Sequence, residues 1–203
     1  MVTGLAYSGS GNGDILMIEA SHMPGDGKLQ LTGSLGDVIR ESAQIALTWV
    51  KAQAYDLKLT RSANVNLVEH RDVHIHFPAG AVAKDGPSAG IALATSIVSL
   101  FSGKRVPTTT AMTGEISLRG RVLPVGGIKE KVLAAHRAGI KTIILPARNR
   151  KDVTGDVPES IRNSIEFVYV QTISEVLRAA LIIDERGMEV SSHWIPSRLE
   201  SHL

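Results

Sequence analysis

Ser88 stands out because small residues surround it at the start of a predicted helix. The stretch reads Lys-Asp-Gly-Pro-Ser-Ala-Gly over residues 84–90, and proline suits the first position of a helix. The first turn of a helix carries N–H groups without partners and the positive end of the helix dipole. Such groups can stabilise an oxyanion while the Ser88 hydroxyl attacks a carbonyl carbon. The alternative is that Ser88 is simply a residue that favours a helix start.

A serine nucleophile needs a base, and Lys131 is the first candidate. In a helix predicted from Ile128 to Ala138, a rotation of about 100° per residue puts Lys131 on the flank of the apolar stripe. Lys129 and Glu130 point toward the outside. Burial disfavours the ammonium form of lysine and can lower its pKa from about 10.4 toward neutrality. The alternative is that the Lys131 stem is buried while its ammonium group reaches water.

Histidine offers a competing base. His74 and His76 lie two residues apart on the same face of a predicted strand. A Ser-His-Asp triad is conceivable with the serine above, His76 and either Asp72 or Asp85. The two histidines are also candidate metal ligands, although the sequence marks no third ligand and contains no cysteine. A third alternative is that both are strand-face residues hydrogen-bonded to a neighbouring loop.

The composition is that of an ordinary globular chain. Of 203 residues, 43% are hydrophobic and 21% charged, which excludes collagen, intrinsic disorder and a pure coiled coil. The 22 basic and 20 acidic residues leave a net charge of +2, so no nucleic-acid partner is indicated. The longest apolar stretch, residues 91–101, is about half the ~20 residues that span a membrane, so no membrane partner is expected. The absence of cysteine excludes disulfides, cysteine-based zinc sites and a cysteine nucleophile.

Apolar periodicity and turn residues predict one mixed domain of helices and strands. The predicted strands cover residues 15–20, 29–32, 73–77, 111–118, 141–145 and 165–170. The predicted helices begin at a capping box at Ser34, at Pro87, at Ile128 and at a Thr172 cap, and the last runs to about Ile182. A hairpin loop is predicted at 8–13, and residues 184–203 are predicted to form a tail. The chain also starts inside apparently folded sequence, so a fragment of a longer protein is expected.

Two stretches together resemble the Lon proteolytic domain. Residues 84–90 are similar to the nucleophile motif of that family. Three further stretches resemble the later motifs of the family in order and spacing. They are Thr-Gly-Glu-Ile at 113–116, Arg-Gly at 119–120 and Leu-Pro-Val-Gly-Gly-Ile-Lys-Glu-Lys at 123–131. The resemblance runs from about Val2 to Leu181. The segment 8–12 and the tail after Asp184 depart from the pattern.

The resemblance implies both a fold and an activity. The implied fold is a compact α+β domain similar to the second domain of ribosomal protein S5. The implied activity is that of an ATP-dependent serine endopeptidase with Ser88 as nucleophile and Lys131 as general base. The family pattern also implies that Thr113 helps to position the lysine amine. Further residues that line or brace the site by resemblance are His76, Asp85, Glu115, Arg119 and Glu19.

Longer members of the family carry a substrate-binding region and an ATPase module before this domain, usually in a homo-hexameric ring. The sequence contains no Gly-x-x-x-x-Gly-Lys-Ser/Thr phosphate loop. Residues 1–183 are therefore expected to be the proteolytic domain, with no cofactor of its own and with ATP and Mg serving the longer parent. The implied substrates are unfolded or damaged proteins, degraded in protein quality control.

Two other function classes stay open at this point. A non-catalytic binding module can keep the same fold, because fold alone does not imply function. It predicts loss of Ser88 or Lys131, and both are present. A nucleotide-binding protein would need a glycine-rich phosphate cradle, and neither residues 86–90 nor Gly126 and Gly127 have the required spacing.

The last three residues indicate a location. Ser201, His202 and Leu203 are similar to the Ser-Lys-Leu address that the peroxisomal import receptor binds. We therefore expect the peroxisome matrix, with that receptor as a partner. The alternatives are the mitochondrial matrix, the bacterial cytoplasm, and an accidental tripeptide.

Overall fold

The structure, a computed structural model, describes residues 1–8, 11–78 and 86–181. The strands in this part of the chain are β1 Val2–Ser8, β2 Asn12–Pro24, β3 Leu29–Thr32, β4 Arg71–His76, β5 Thr110–Met112, β6 Glu115–Ile116, β7 Val122–Leu123, β8 Thr142–Pro146 and β9 Glu166–Val170. The helices are α1 Asp37–Ala52, α2 Gly90–Ser102, α3 Ile128–Arg137, α4 Arg150–Asp156, α5 Glu159–Arg162 and α6 Ile173–Ala180. Short 3-10 turns cover Pro87–Ala89 and Ala147–Asn149.

Seven of these strands form one mixed sheet in the order β3-β4-β2-β1-β5-β8-β9. The neighbours β1, β5, β8 and β9 run parallel, whereas β2 is antiparallel to both β1 and β4. Strands β6 and β7 form a separate antiparallel pair. Parallel and antiparallel pairing in one sheet, with helices packed on it, confirms the predicted α+β class.

Both faces of the central strands are buried, because successive side chains of a strand point to opposite sides. In β8, Ile144 packs into the larger core with α1, α2 and α6. Its neighbours Ile143 and Leu145 pack into a second core with α3 and α4. Burial on both faces explains why this strand is an uninterrupted apolar run in the sequence.

Strand β1 extends beyond the end of β5. The two pair at Thr3 with Ala111 and at Gly4 with Met112, and β5 ends there. Strand β1 continues to Ser8, where it pairs with Asn12 across the predicted hairpin, which is thereby confirmed. Past the end of β5, the described part of the chain places no strand beside this side of β1.

The predicted strand over 111–118 is wrong, because β5 ends at Met112. The chain leaves the sheet at Gly114, whose N–H donates to the Ser88 carbonyl oxygen at 2.8 Å. Its own carbonyl oxygen accepts from the Ile91 N–H at 3.1 Å. These bonds turn residues 115–116 toward β7 instead of extending β5 along the sheet.

Two helix starts differ in outcome. The predicted cap at Ser34 is wrong, because the N-cap of α1 is Gly36 and no side chain caps it. Ser34 instead adopts a left-handed backbone with φ of 55°. The predicted Thr172 cap of α6 is confirmed, since its hydroxyl accepts from the Glu175 N–H at 3.4 Å. Helix α6 ends at Ala180, and the predicted tail lies outside the described residues.

Candidate active site

Ser88 lies in the 3-10 turn that leads directly into α2, and it is half-buried. Backbone hydrogen bonds to the residues that follow β5 hold this turn in place. Gly114 donates to the Ser88 carbonyl oxygen, and the Ile91 N–H donates back to the carbonyl oxygen of Gly114. Ser88 therefore sits at a fixed helix start, beside the carboxyl ends of the parallel strands.

The start of α2 approaches β6 so closely that position 90 has room only for glycine. A Cβ on Gly90 would lie 2.8 Å from the Ile116 nitrogen and 2.9 Å from its Cγ2. Contacts this short are essentially never seen, and one of them is to backbone. Gly90 thus lets the Ser88 turn pack against the Gly114 segment.

Thr113 is fully buried behind Ser88. Its Oγ1 lies 3.3 Å from the Ser88 carbonyl oxygen and 3.5 Å from that of Leu5 in β1. A hydroxyl has one hydrogen to donate, so it serves one carbonyl at a time and keeps lone pairs that can accept. Its backbone N–H donates to Ile144 at 3.1 Å, which fixes Thr113 at the end of the sheet.

Lys131 is buried, with only 2% of its surface exposed, as its flanking position on the apolar stripe predicts. Burial lowers its pKa from 10.5 to about 8. Lys129 is exposed and Glu130 half-buried on the same helix. Burial this extensive does not favour the alternative of a solvated Lys131 ammonium, and the lowered pKa is of the kind that a general base requires.

The β1–β2 hairpin holds the first turn of α3 in place. A Cβ on Gly13 would collide with the Glu130 carbonyl oxygen and lie 2.9 Å from the Lys131 nitrogen. Gly13 pairs across the hairpin with Tyr7, whose ring contacts Gly127 just before α3. The backbone at Lys131 is thus in direct contact with β2.

Ser88 and Lys131 lie in segments that each contact β1. The Ser88 turn reaches it through Thr113 and the Leu5 carbonyl oxygen, and α3 reaches it two residues further along, at Tyr7. Among the described residues, no hydrogen bond joins the Ser88 hydroxyl to the Lys131 amine. Catalytic hydrogen bonds in ligand-free enzymes are often longer than in the substrate complex, so this geometry is compatible with both roles.

Glu115 and Arg119 differ in their position relative to the Ser88 turn. Glu115 is half-buried and follows Gly114 directly, at the start of β6. Arg119 is exposed in the turn between β6 and β7. Within the described part of the chain its guanidinium forms no ion pair or hydrogen bond. The structure thus places Glu115 near the Ser88 turn and does not bring Arg119 to it.

Glu19 and His76 face each other on β2 and β4, and both are exposed. Thr32 Oγ1 lies 2.7 Å from His76 Nδ1 and 2.9 Å from His74 Nε2. Because one hydroxyl donates only once, at least one imidazole donates to Thr32. This is close to the simplest alternative for the two histidines, but the partner Thr32 lies on the neighbouring strand β3 and not in a loop. Strand β4 is two strands from β1, about 10 Å away.

The triad with Asp72 is wrong. Asp72 Oδ1 accepts from the backbone N–H groups of Asp26 at 2.9 Å and Lys28 at 2.8 Å, so it braces the turn after β2. Asp72 and His76 lie near opposite ends of β4, about 13 Å apart along the strand. Asp85, the other acidic candidate, lies outside the described residues.

Sequence reasoning missed Asn149, which is 3% exposed and contacts the backbone of Val125 before α3. Asn149 precedes a helix too short to be predicted from its periodicity, so no sequence pattern drew attention to this contact. No group of three or more His, Asp or Glu side chains in the described ranges is placed to hold a metal ion. No helix there has the length and apolar character of a membrane span.

Comparison with known proteins adds a family. Residues 1–183 match the family described as Lon protease (S16) C-terminal proteolytic domain. The chain is 60% identical over 190 residues to "Lon protease homolog 2, peroxisomal" of Oryza sativa subsp. indica, an alignment that covers 94% of this chain and 21% of the relative. It is 59% identical over 181 residues to "Lon protease" of Anaeromyxobacter dehalogenans (strain 2CP-C), covering 89% of this chain and 21% of that protein. The chain thus spans about one fifth of the length of the curated relatives it matches.

Proposed function

Because the chain belongs to the Lon protease (S16) C-terminal proteolytic domain family, we propose that it hydrolyses peptide bonds with Ser88 as nucleophile and Lys131 as general base. The observation that carries this proposal is Lys131, an almost fully buried lysine with a pKa lowered to about 8. Keeping a charged amine out of water costs free energy, so a lysine is rarely buried where it has no function. In its neutral form, the Lys131 amine is proposed to supply the base that Ser88 needs.

In the proposed reaction, the Lys131 amine takes the proton of the Ser88 hydroxyl as Oγ attacks the carbonyl carbon of the substrate. Backbone N–H groups of the 3-10 turn that carries Ser88 are proposed to stabilise the oxyanion of the tetrahedral intermediate. The Lys131 ammonium then gives its proton to the leaving amine as the C–N bond breaks, leaving a Ser88 ester. Water attacks the ester with Lys131 again as the base, and the carboxylic acid leaves as Ser88 recovers its proton.

Thr113 has a positioning role in this proposal. Its hydroxyl can donate to the Ser88 carbonyl oxygen, 3.3 Å away, while its lone pairs accept an N–H of the neutral lysine. One buried side chain then holds the serine turn and orients the amine. Its complete burial supports this role, since water cannot replace the contact.

The other site residues are proposed as supporting groups. Glu115 follows Gly114 and is proposed to brace the segment that holds the Ser88 turn. Arg119 is exposed on a hairpin turn, so we assign it to contacts with substrate or with neighbouring protein. Glu19 and His76 are proposed to border the site on the β4 side. Asp85 remains a supporting candidate from the sequence pattern alone.

We also propose that the domain acts within a longer ATP-dependent enzyme, because it spans only 19–21% of its relatives. There, an ATPase module with ATP and Mg would deliver unfolded or damaged proteins to a homo-hexameric ring. The 203-residue chain alone is then expected to cleave short or unstructured peptides without stimulation by ATP. Rapid degradation of a stably folded protein by this chain would contradict that division of labour.

For location we propose the peroxisome, in a quality-control role. The support is that relatives from Oryza sativa, Zea mays and Spinacia oleracea are named peroxisomal, although a bacterial Lon protease is almost as similar. The tripeptide Ser201, His202 and Leu203 stays a prediction outside the described residues. A fluorescent reporter carrying residues 192–203 tests it: punctate fluorescence that is lost without Leu203 supports import, and diffuse fluorescence contradicts it.

The catalytic proposal is tested with a serine-directed peptidyl boronate and three variants. Ser88→Ala and Lys131→Ala are each expected to lower kcat/KM by roughly several hundred-fold or more, because one removes the nucleophile and the other the base. Ser88→Ala also abolishes boronate labelling. Lys129→Ala, two residues away and exposed, is the matched control and is expected to keep near wild-type activity.

Two results would contradict the proposal. Full activity in Lys131→Ala, with loss in Lys129→Ala, would overturn the choice of base. A well-folded wild-type chain that neither cleaves peptides nor reacts with the boronate would favour the non-catalytic binding module.

A further inference from the structure

Asn149 makes a hydrogen-bonding pattern that is unusual for its place in the chain. It occupies the N-cap position of α4, where asparagine is among the preferred residues because its side chain can accept from the helix N–H groups. No such cap bond forms in α4. The buried carboxamide instead bonds to the segment before α3, and within α4 it bonds only to the side chain of Asp152.

The carboxamide of Asn149 binds both backbone polar groups of Val125. The Val125 N–H donates to Oδ1 at 3.0 Å, and Nδ2 donates to the Val125 carbonyl oxygen at 2.9 Å. This reproduces the paired bonds that a neighbouring strand would make. The second Nδ2 hydrogen goes to Asp152 Oδ2 at 2.6 Å. Because a carboxylate only accepts, Asp152 fixes which end of the amide faces it.

Val125 lies in a short connection whose side-chain packing against the second core is accompanied by few other backbone hydrogen bonds. Between the end of β7 at Leu123 and the Gly127 carbonyl oxygen, Asn149 is the only hydrogen-bond partner of the backbone among the described residues. Gly126 is exposed, and a Cβ added there would meet open space. Helix α3 begins two residues later, and Lys131 lies in its first turn.

We propose that Asn149 is a positioning residue that fixes the start of α3 and thereby the direction of the Lys131 amine toward Ser88. This inference rests on the proposed peptidase function. The hairpin packs against the side of α3 at Glu130, whereas Asn149 holds the chain that enters the helix. A misplacement of about 1 Å at a catalytic group can cost on the order of a hundredfold in rate.

Removing the carboxamide tests this role in the full chain. In Asn149→Ala, α3 loses its entry restraint and water reaches the lysine amine. We expect kcat to fall about tenfold or more with little change in KM, and the acid limb of the pH profile to move upward. Thr172→Ala is the control for stability, since it removes the side-chain N-cap of α6, a helix that carries no residue of the candidate site. It is expected to lower Tm by a similar few degrees while leaving the pH profile unchanged.

A second readout does not need activity. The rate at which an amine-acylating reagent modifies Lys131 is followed against pH by mass spectrometry, with Lys129 as internal reference. The titration midpoint of Lys131 is expected to rise by about half a pH unit or more in Asn149→Ala, because hydration favours the ammonium form. A moved midpoint in a wild-type chain without peptidase activity would support the placement and overturn only the proposed function. An unmoved midpoint, with loss of Tm like that of Thr172→Ala, would overturn the positioning role.

Exchanging the amide and the carboxylate tests the bond between Asn149 and Asp152. Asn149→Asp places a carboxylate opposite Asp152 and leaves the Val125 carbonyl oxygen without a donor. Adding Asp152→Asn restores an amide donor between the two positions, so the double variant should be more active than Asn149→Asp alone. A double variant that is no better than the single one would contradict a role for the bond between positions 149 and 152 in placing α3.

Discussion

The hydroxyl of Thr113 lies 3.3 Å from the carbonyl oxygen of Ser88, 25 residues earlier in the chain. The same hydroxyl lies 3.5 Å from the carbonyl oxygen of Leu5 in β1. Thr113 thus joins the strand that α3 packs against to the turn that carries the serine. This relation gives the first prediction.

Thr113→Val keeps the shape of the side chain and removes the hydroxyl. Because the hydroxyl both holds the Ser88 turn and can accept from Lys131, we expect a lower kcat and an altered pH profile, with a modest loss of stability. Steady-state kinetics between pH 6 and pH 10 measure the effect. Thr95→Val is the control, since Thr95 is equally buried but donates to Ile91 within α2. Equal loss of activity in both variants would show that Thr113 is only structural.

The pH dependence of hydrolysis should report on Lys131. Its pKa is lowered to about 8 by burial, and only the neutral amine accepts the Ser88 proton. Below pH 8, kcat/KM is expected to rise about tenfold per pH unit, and it should level off above pH 8. An unperturbed lysine would keep the rate rising until beyond pH 10. A plateau reached already at pH 6 would point to a base other than Lys131.

Local sequence patterns predict those parts of the fold that depend on neighbouring residues. The apolar stripe of α3 predicts the burial of Lys131, and the Thr172 cap predicts the start of α6. The end of β5 was not predictable, because it depends on bonds from Gly114 to Ser88 and Ile91, which lie far away in sequence. Helices α4 and α5 are one or two turns long, too short for a clear 3.6-residue period.

In the candidate site, too, some residues were predictable from sequence motifs and others depend on the fold. Motif resemblance identified Ser88, Thr113 and Lys131 together. The role of Asn149 could not be predicted, because an asparagine before a helix matches an N-cap equally well. Only the fold shows that its carboxamide binds Val125 instead. Asp72 illustrates the opposite error, since its proximity to His76 in sequence suggested a triad, whereas its bonds stabilise a turn.

The buried lysine should also reduce stability at neutral pH. Its pKa is 10.5 when unfolded and about 8 when folded, so between these values the unfolded state binds more protons. The free energy of unfolding of the wild-type chain therefore rises with pH across that window. The destabilisation caused by Lys131 is greatest below pH 8. The full cost is roughly 3 kcal/mol, from the size of the pKa shift.

Lys131→Met removes that cost and keeps most of the side-chain volume. We expect the variant to be more stable than the wild type by up to about 3 kcal/mol at pH 7, with the difference shrinking toward pH 10. Urea unfolding at several pH values measures it. Lys129→Met is exposed and should change stability by no more than about 0.5 kcal/mol. A constant difference between Lys131→Met and wild type from pH 7 to pH 10 would contradict the linkage.

Gly90→Ala should damage both fold and activity. Alanine usually favours a helix over glycine by roughly 0.5–1 kcal/mol, but here its Cβ would press on the Ile116 backbone. Overpacking of this kind costs about 1–3 kcal/mol, and relief requires the Ser88 turn to move away from Gly114. We expect a lower unfolding midpoint in urea and a fall in kcat. The matched control is Gly155→Ala in α4, where nothing lies within 4 Å of the added Cβ. That variant should be as active as wild type and at least as stable, so equal behaviour of the two would contradict the close packing at Gly90.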